Sequence, residues 1–187
     1  MLPENKVLND FKDFFLKKED CDVLLKVQGH KFEAHKIILK ARSPVLASTF
    51  RNDMKEKATG VVDIEDCDPS SFSDFLCFLY CGDKKIISKS NAFNLFVTAD
   101  KYDVQDLRAQ CLIFMKENLC IDTFCDTTTL ALRHFESELV KLTTDFFVEN
   151  ATEIIKTVKW QSFLSENPTA GNELFLKFAS SDLKLGK

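Results

Sequence analysis

At 187 residues, 45% of them hydrophobic and 29% charged, the chain is long enough for one substantial core or two small ones and too apolar to stay disordered. Its formal net charge of -4 argues against a nucleic-acid backbone as the main partner, because phosphate binding needs a basic surface. No apolar run approaches the ~20 residues of a membrane span, and Met1-Leu2-Pro3-Glu4 has neither a basic start nor an apolar secretion core.

In chain order, Val7, Phe11 and Phe14 recur at i, i+4 and i+7, which predicts a first helix with a large apolar stripe. That stripe is covered either by the chain's own core or by a second copy. Val23, Leu25 and Val27 then alternate with Leu24 and Lys26 before Gln28-Gly29, and Phe32 and Ala34 alternate with polar neighbours after it. This pattern predicts a β-hairpin. A helix is expected at once, with Ile37, Ile38 and Leu39 on its apolar side. Ser43-Pro44 reads as an N-cap and a first-position proline, opening another helix over Val45 to Phe50.

Val61 to Ile64 reads as a third strand, and Asp68-Pro69 as the cap of a helix whose Phe72, Phe75, Leu76 and Leu79 share a face. Gly82 is placed to end that helix. Lys84 to Ser88 is expected as a short strand or loop, followed by helices over Asn91 to Lys101 and Val104 to Glu117. From Asp122 the pattern is purely helical, with periodic segments at Thr123 to His134, Ser137 to Asn150, Thr152 to Val158 and Asn172 to Phe178. The expected organisation is an α/β domain over 1–120, a small sheet flanked by helices, and an all-helical extension over 121–187.

Catalytic signals are missing. With five glycines there is neither a Gly-x-Gly-x-x-Gly phosphate cradle nor a Gly-x-Ser-x-Gly elbow. His30, His35 and His134 are scattered, and His35, between a strand and a helix, is expected to make structural hydrogen bonds. Cys77 and Cys81 sit at i, i+4, a spacing that can aim two thiolates at one metal, but no Cys-x-x-Cys pair accompanies them. Buried thiols are the expectation, with no metal, no cofactor and no enzymatic activity. Seven cysteines without a secretion signal fit a reducing compartment, so an intracellular place, nucleus or cytoplasm, is expected.

The run from Asp22 to Pro44, with Asp22, Ala34-His35-Lys36 and Arg42-Ser43 in order and spacing, resembles the opening of a BTB/POZ domain. The resemblance continues through Phe78-Leu79-Tyr80-Cys81-Gly82 and Ala99-Asp100-Lys101-Tyr102. Beyond these, Asn118-Leu119, His134, Asp145-Phe146, Ala151-Thr152 and Trp160 fall where the speckle-type POZ protein group has similar residues. In that group a substrate-binding MATH domain precedes the BTB domain. This chain starts almost at the BTB domain, which implies a fragment or a short member without its own substrate receptor.

The resemblance implies a homodimer. Val7, Phe11, Phe14 and Ile38 match the hydrophobic dimer seam of the speckle-type group, while Asp22 and Lys36 match an acid and a base that pair across the dimer axis; an intrachain salt bridge or solvated charges are the alternative for that pair. Met54-Lys55-Glu56 is similar to the hydrophobic-x-Glu motif that cullin-binding BTB domains present to cullin-3, with Met54 as an adaptable apolar knob and Glu56 as a charge that fixes register. The helical part resembles a 3-box and the start of a BACK domain, which extends the cullin groove. Phe175 resembles an aromatic position of BACK-domain association, the alternative being core packing with Leu174 and Phe178. The implied function is a homodimeric adaptor for a cullin-3 ubiquitin ligase. The alternative is a dimerisation module that recruits transcriptional regulators or forms mixed dimers with full-length speckle-type POZ relatives.

Overall fold

The computed structural model describes residues 6–52 and 60–185. The first helix, α1 (Lys6–Lys17), leads into a hairpin of β1 (Val23–Val27) and β2 (His30–Ala34). Gln28 and Gly29 take left-handed φ values of 47° and 86°, the backbone a two-residue turn needs to match strand twist. Strand β1 alternates buried Val23, Leu25 and Val27 with partly exposed Leu24 and Lys26, as the period of two predicts.

Helices α2 (Lys36–Arg42) and α3 (Pro44–Asn52) precede β3 (Val61–Ile64), which pairs in parallel with β1 and completes a three-stranded sheet in the order β2-β1-β3. Of the three consecutive apolar residues of α2, only Leu39 is buried; Ile38 is half-buried and Ile37 is 75% exposed. Neighbours on a helix point about 100° apart, so three in a row cannot share one face.

Next come α4 (Pro69–Cys81), a 3-10 turn at Lys84–Ile86, α5 (Ala92–Lys101) and α6 (Gln105–Glu117). The Asp68 carboxylate accepts from the Ser71 N–H at 2.8 Å, and Gly82 ends α4 in the left-handed region at φ 62°. The 3-10 turn replaces the expected strand or loop at 84–88, with the Asp83 carboxylate accepting from the Lys85 N–H at 3.0 Å. Phe72, Phe75, Leu76 and Leu79 are all buried, as are Leu25, Leu39, Leu95, Phe96 and Leu107.

The chain divides into two compact units, Met1–Phe114 and Met115–Lys187, so the division falls inside α6. In the second unit, α7 (Ile121–Arg133), α8 (Ser137–Ile154), α9 (Val158–Glu166) and α10 (Pro168–Leu185) close over Phe124, Phe147, Ile154, Trp160, Phe163 and Leu174. Trp160 is the hub, with Phe147 stacked at 5.0 Å and Phe163 at 5.3 Å between ring centroids. The boundaries depart here from the sequence expectation. Helix α8 runs through a kink at Asn150 to Ile154, and the expected segment at 152–158 gives way to a new helix that starts at Val158. Thr157 caps that helix, its hydroxyl accepting from the Trp160 N–H at 3.1 Å.

Candidate functional site

Helix α1 buries none of its residues fully. It lies on α4 through Phe15, whose ring is 5.0 Å from Tyr80, and through Lys12, whose Nζ is 3.7 Å from Asp83. Phe14 stacks on His35 at 4.2 Å and 20°. Val7 and Phe11, two turns and one turn earlier on the same stripe, are left 59% and 39% exposed, with Leu8 and Leu16 also exposed. The structure therefore parts the sequence-predicted set. Phe14 stacks within the chain, Ile38 is half-buried, and Val7, Phe11 and, on α2, Ile37 face solvent.

His35 anchors this region. Its backbone N–H donates to the Tyr80 hydroxyl at 2.9 Å, and the same hydroxyl lies 2.7 Å from Nδ1. The Glu19 carbonyl can only accept, so Nε2, 2.7 Å away, carries the ring proton and donates to it, which leaves Nδ1 as the acceptor of the Tyr80 O–H. Burial pushes the Tyr80 phenol up to about 12, keeping it a neutral donor. The imidazole is thus a structural clamp between the segment after α1 and α4, as its place between strand and helix predicts.

The other motif residues also make bonds within the chain. Asp22 Oδ1 accepts from the main-chain N–H of Lys36 at 2.7 Å, which satisfies a donor that the start of α2 leaves without an intrahelical partner. Arg42 pairs with Asp106 at 2.6 Å and lies over the Phe78 ring at 5.8 Å. The fully buried Ser43 hydroxyl donates to the Tyr102 carbonyl at 2.6 Å while accepting from the Leu46 N–H at 3.1 Å.

Cys77 and Cys81 bring their sulfurs to 3.8 Å, and the Cys81 thiol donates to the Cys77 carbonyl at 3.0 Å. Burial is the main cause that lifts Cys77 to about 12, so it stays a protonated thiol. Among the described residues, no group of three or more His, Cys, Asp or Glu is placed to hold a metal, and no helix is long and apolar enough to cross a membrane.

Met54 and Glu56 lie outside the described residues. Phe175 is 39% exposed and meets Trp160 and Phe147 edge-on at 5.5 and 5.9 Å, between a fully buried Leu174 and a half-buried Phe178. Sequence reasoning missed Phe135, which is 91% exposed at the end of α7. It also missed the exposure of Ile37, which the 100° step between successive helical residues would have revealed.

The BTB/POZ domain family model matches residues 11–119. Among relatives, TD and POZ domain-containing protein 4 of Mus musculus is 36% identical over 163 residues, covering 87% of this chain and 44% of that protein. TD and POZ domain-containing proteins 3 and 1 of the same species are each 32% identical over 180 residues, covering 96% of this chain and 49% of theirs. The chain spans about half the length of the curated relatives it matches. A BTB/POZ domain is a protein-interaction and self-association module, a role suited to an apolar stripe in water on α1 rather than to a convergent catalytic cleft. By its family match and its small sheet flanked by helices, the chain belongs to the BTB/POZ family.

Proposed function

We propose that the chain is a homodimeric, non-enzymatic adaptor for a cullin-3 ubiquitin ligase, of the kind the speckle-type POZ resemblance implies. The observation that carries this reading is the exposed stripe of α1, where Val7 and Phe11 stand in water. Leaving large apolar side chains uncovered forfeits about 1.5 to 3 kcal/mol each, so a second copy that covers them gains correspondingly. In this dimer Val7, Phe11, Phe14 and Ile38 form the seam, with Asp22 and Lys36 near its axis. Met54 and Glu56 supply the cullin contact, the helices after Asp122 extend it, and Phe175 supports a second, weaker self-contact.

The test is size-exclusion chromatography with light scattering, alone and with the N-terminal domain of cullin-3. A dimer that shifts to a larger complex supports the reading. Met54→Ala with Glu56→Lys should weaken cullin binding about thirtyfold, the equivalent of about 2 kcal/mol at an anchor residue, and leave the dimer intact. A wild-type dimer that ignores cullin points instead to a module that forms mixed dimers with longer relatives or recruits transcriptional regulators.

A further inference from the structure

Cys77 and Cys81 stand about one turn apart on α4, their sulfurs 3.8 Å from each other. Cys77 is half-buried; Cys81, the last residue of the helix, is buried, and its thiol donates to the Cys77 carbonyl at 3.0 Å. Two fates common to such a pair are closed by geometry. Residues four apart on a helix keep their Cβ atoms about 5 to 6 Å apart, whereas a disulfide needs them at about 3.5 to 4.5 Å. Direct oxidation would have to break the last turn of α4, which Gly82 fixes by its left-handed φ of 62° and its N–H bond to the Phe78 carbonyl at 2.8 Å. Structural zinc takes four ligands, and among the described residues no third His, Cys, Asp or Glu joins the pair to hold a metal.

The spacing suits one atom placed between the sulfurs. A centre bonded to both at about 2.3 Å, the length of a zinc–thiolate bond, subtends about 110° across the 3.8 Å gap, the angle of a tetrahedral or pyramidal atom. A two-coordinate cation such as mercury(II) sets its sulfurs on opposite sides, twice the bond length apart, and does not match the gap. Arsenic lies in the same row of the periodic table as zinc and bonds sulfur at a similar length; trivalent, pyramidal and carrying one carbon substituent, it has two positions left for thiols. We propose that Cys77 and Cys81 form a two-thiol site for a trivalent organoarsenical, a small group R on As(OH)2. Two As–S bonds form and two As–O bonds break, and each thiol hydrogen leaves with a hydroxyl as water, so arsenic stays trivalent and nothing is oxidised or reduced. Burial pushes the Cys77 thiol up to about 12, and this exchange leaves no charge in a site where an ion would be costly. Cys21 and Cys120, also half-buried, are the competing thiols; a single As–S bond lacks the second, intramolecular one that strengthens a chelate. The proposal stands apart from the dimer and cullin readings.

The test incubates the reduced 187-residue chain with methylarsonous acid, CH3As(OH)2, and reads intact mass together with free thiols titrated by maleimide. One methylarsenic group per chain and two thiols lost are expected, with tandem mass spectra that place the bridge between Cys77 and Cys81. Cys77→Ser or Cys81→Ser alone should weaken binding roughly hundredfold or more, the gain from joining two bonds in one molecule. Cys21→Ser combined with Cys120→Ser should leave it unchanged. Cys81 is buried, so melting curves check that its variant is folded, and the bridge mapped on the wild-type chain decides the case if it is not. An adduct that bridges any other pair of cysteines, a wild-type affinity no greater than that of Cys77→Ser, or no adduct at millimolar arsenical would each overturn the proposal.

Discussion

The Tyr80 hydroxyl meets His35 twice, accepting from its backbone N–H at 2.9 Å and donating to its ring Nδ1 across 2.7 Å. Tyr80→Phe keeps the ring that packs on Phe15 but leaves a buried donor and a buried acceptor of His35 unpaired. The expected cost is about 1 to 3 kcal/mol, read as a lower urea midpoint with unchanged slope. A variant as stable as the wild type would show that water replaces the hydroxyl.

Phe11 and Phe14 share the proposed seam but differ in what they hold within the chain, since only Phe14 stacks on His35. Phe11→Asp should convert a dimer to a monomer in light scattering at micromolar concentration while leaving the monomer's fold intact, because Phe11 is 39% exposed. Phe14→Asp should also lower the melting temperature, since it removes the stack on His35. A wild-type monomer at that concentration would remove the basis of the seam.

The Asp68 cap gives a pH-dependent prediction. Hydrogen bonds from Ser71 lower the Asp68 carboxyl below its ordinary 3.8, so its stabilising effect is fully present above that value and fades as pH falls through the lower folded-state pKa. Asp68→Ala should cost about 1 kcal/mol at neutral pH. In paired urea titrations the difference should shrink below pH 3.8, and a difference that grows in acid would contradict the capping role.

Phe135 occupies a position where α4 uses glycine. Its φ is 55°, and Glu136 N–H donates to the Ala131 carbonyl at 2.9 Å in the bond that closes a Schellman motif. Left-handed backbone costs a bulky residue about 1 kcal/mol or more. Phe135→Gly should therefore raise stability by up to about 1 kcal/mol, measurable by thermal melts. Its ring, 91% exposed, contributes little burial to offset that gain.

The features legible in the sequence share a local cause. Gln28-Gly29, Ser43-Pro44, Asp68-Pro69 and Gly82 act through their own backbone or a neighbour a few residues away, and each stands where its chemistry predicts. The helix around Trp160 is not legible because Thr152 to Val158 reads as a continuous apolar period, whereas the backbone turns there and restarts under the Thr157 cap. The kink at Asn150 has no periodic signature, and its side chain donates back to the Phe146 carbonyl at 2.9 Å. At the candidate seam, periodicity found the stripe of α1 but could not tell Phe14, stacked on a histidine distant in sequence, from Phe11, which faces water.

The sheet order β2-β1-β3 bears on how the chain is made. Strand β1 acquires its hairpin partner within a few residues, in microseconds once both strands are free to pair. Its other edge stays open until Val61 to Ile64 has been synthesised, roughly thirty residues after the hairpin. During that interval the nascent chain carries an unpaired, apolar strand edge. Aggregation during synthesis is therefore most hazardous between the emergence of the hairpin and the arrival of β3, and changes that slow translation within that window should lower the yield of folded protein without altering its final stability.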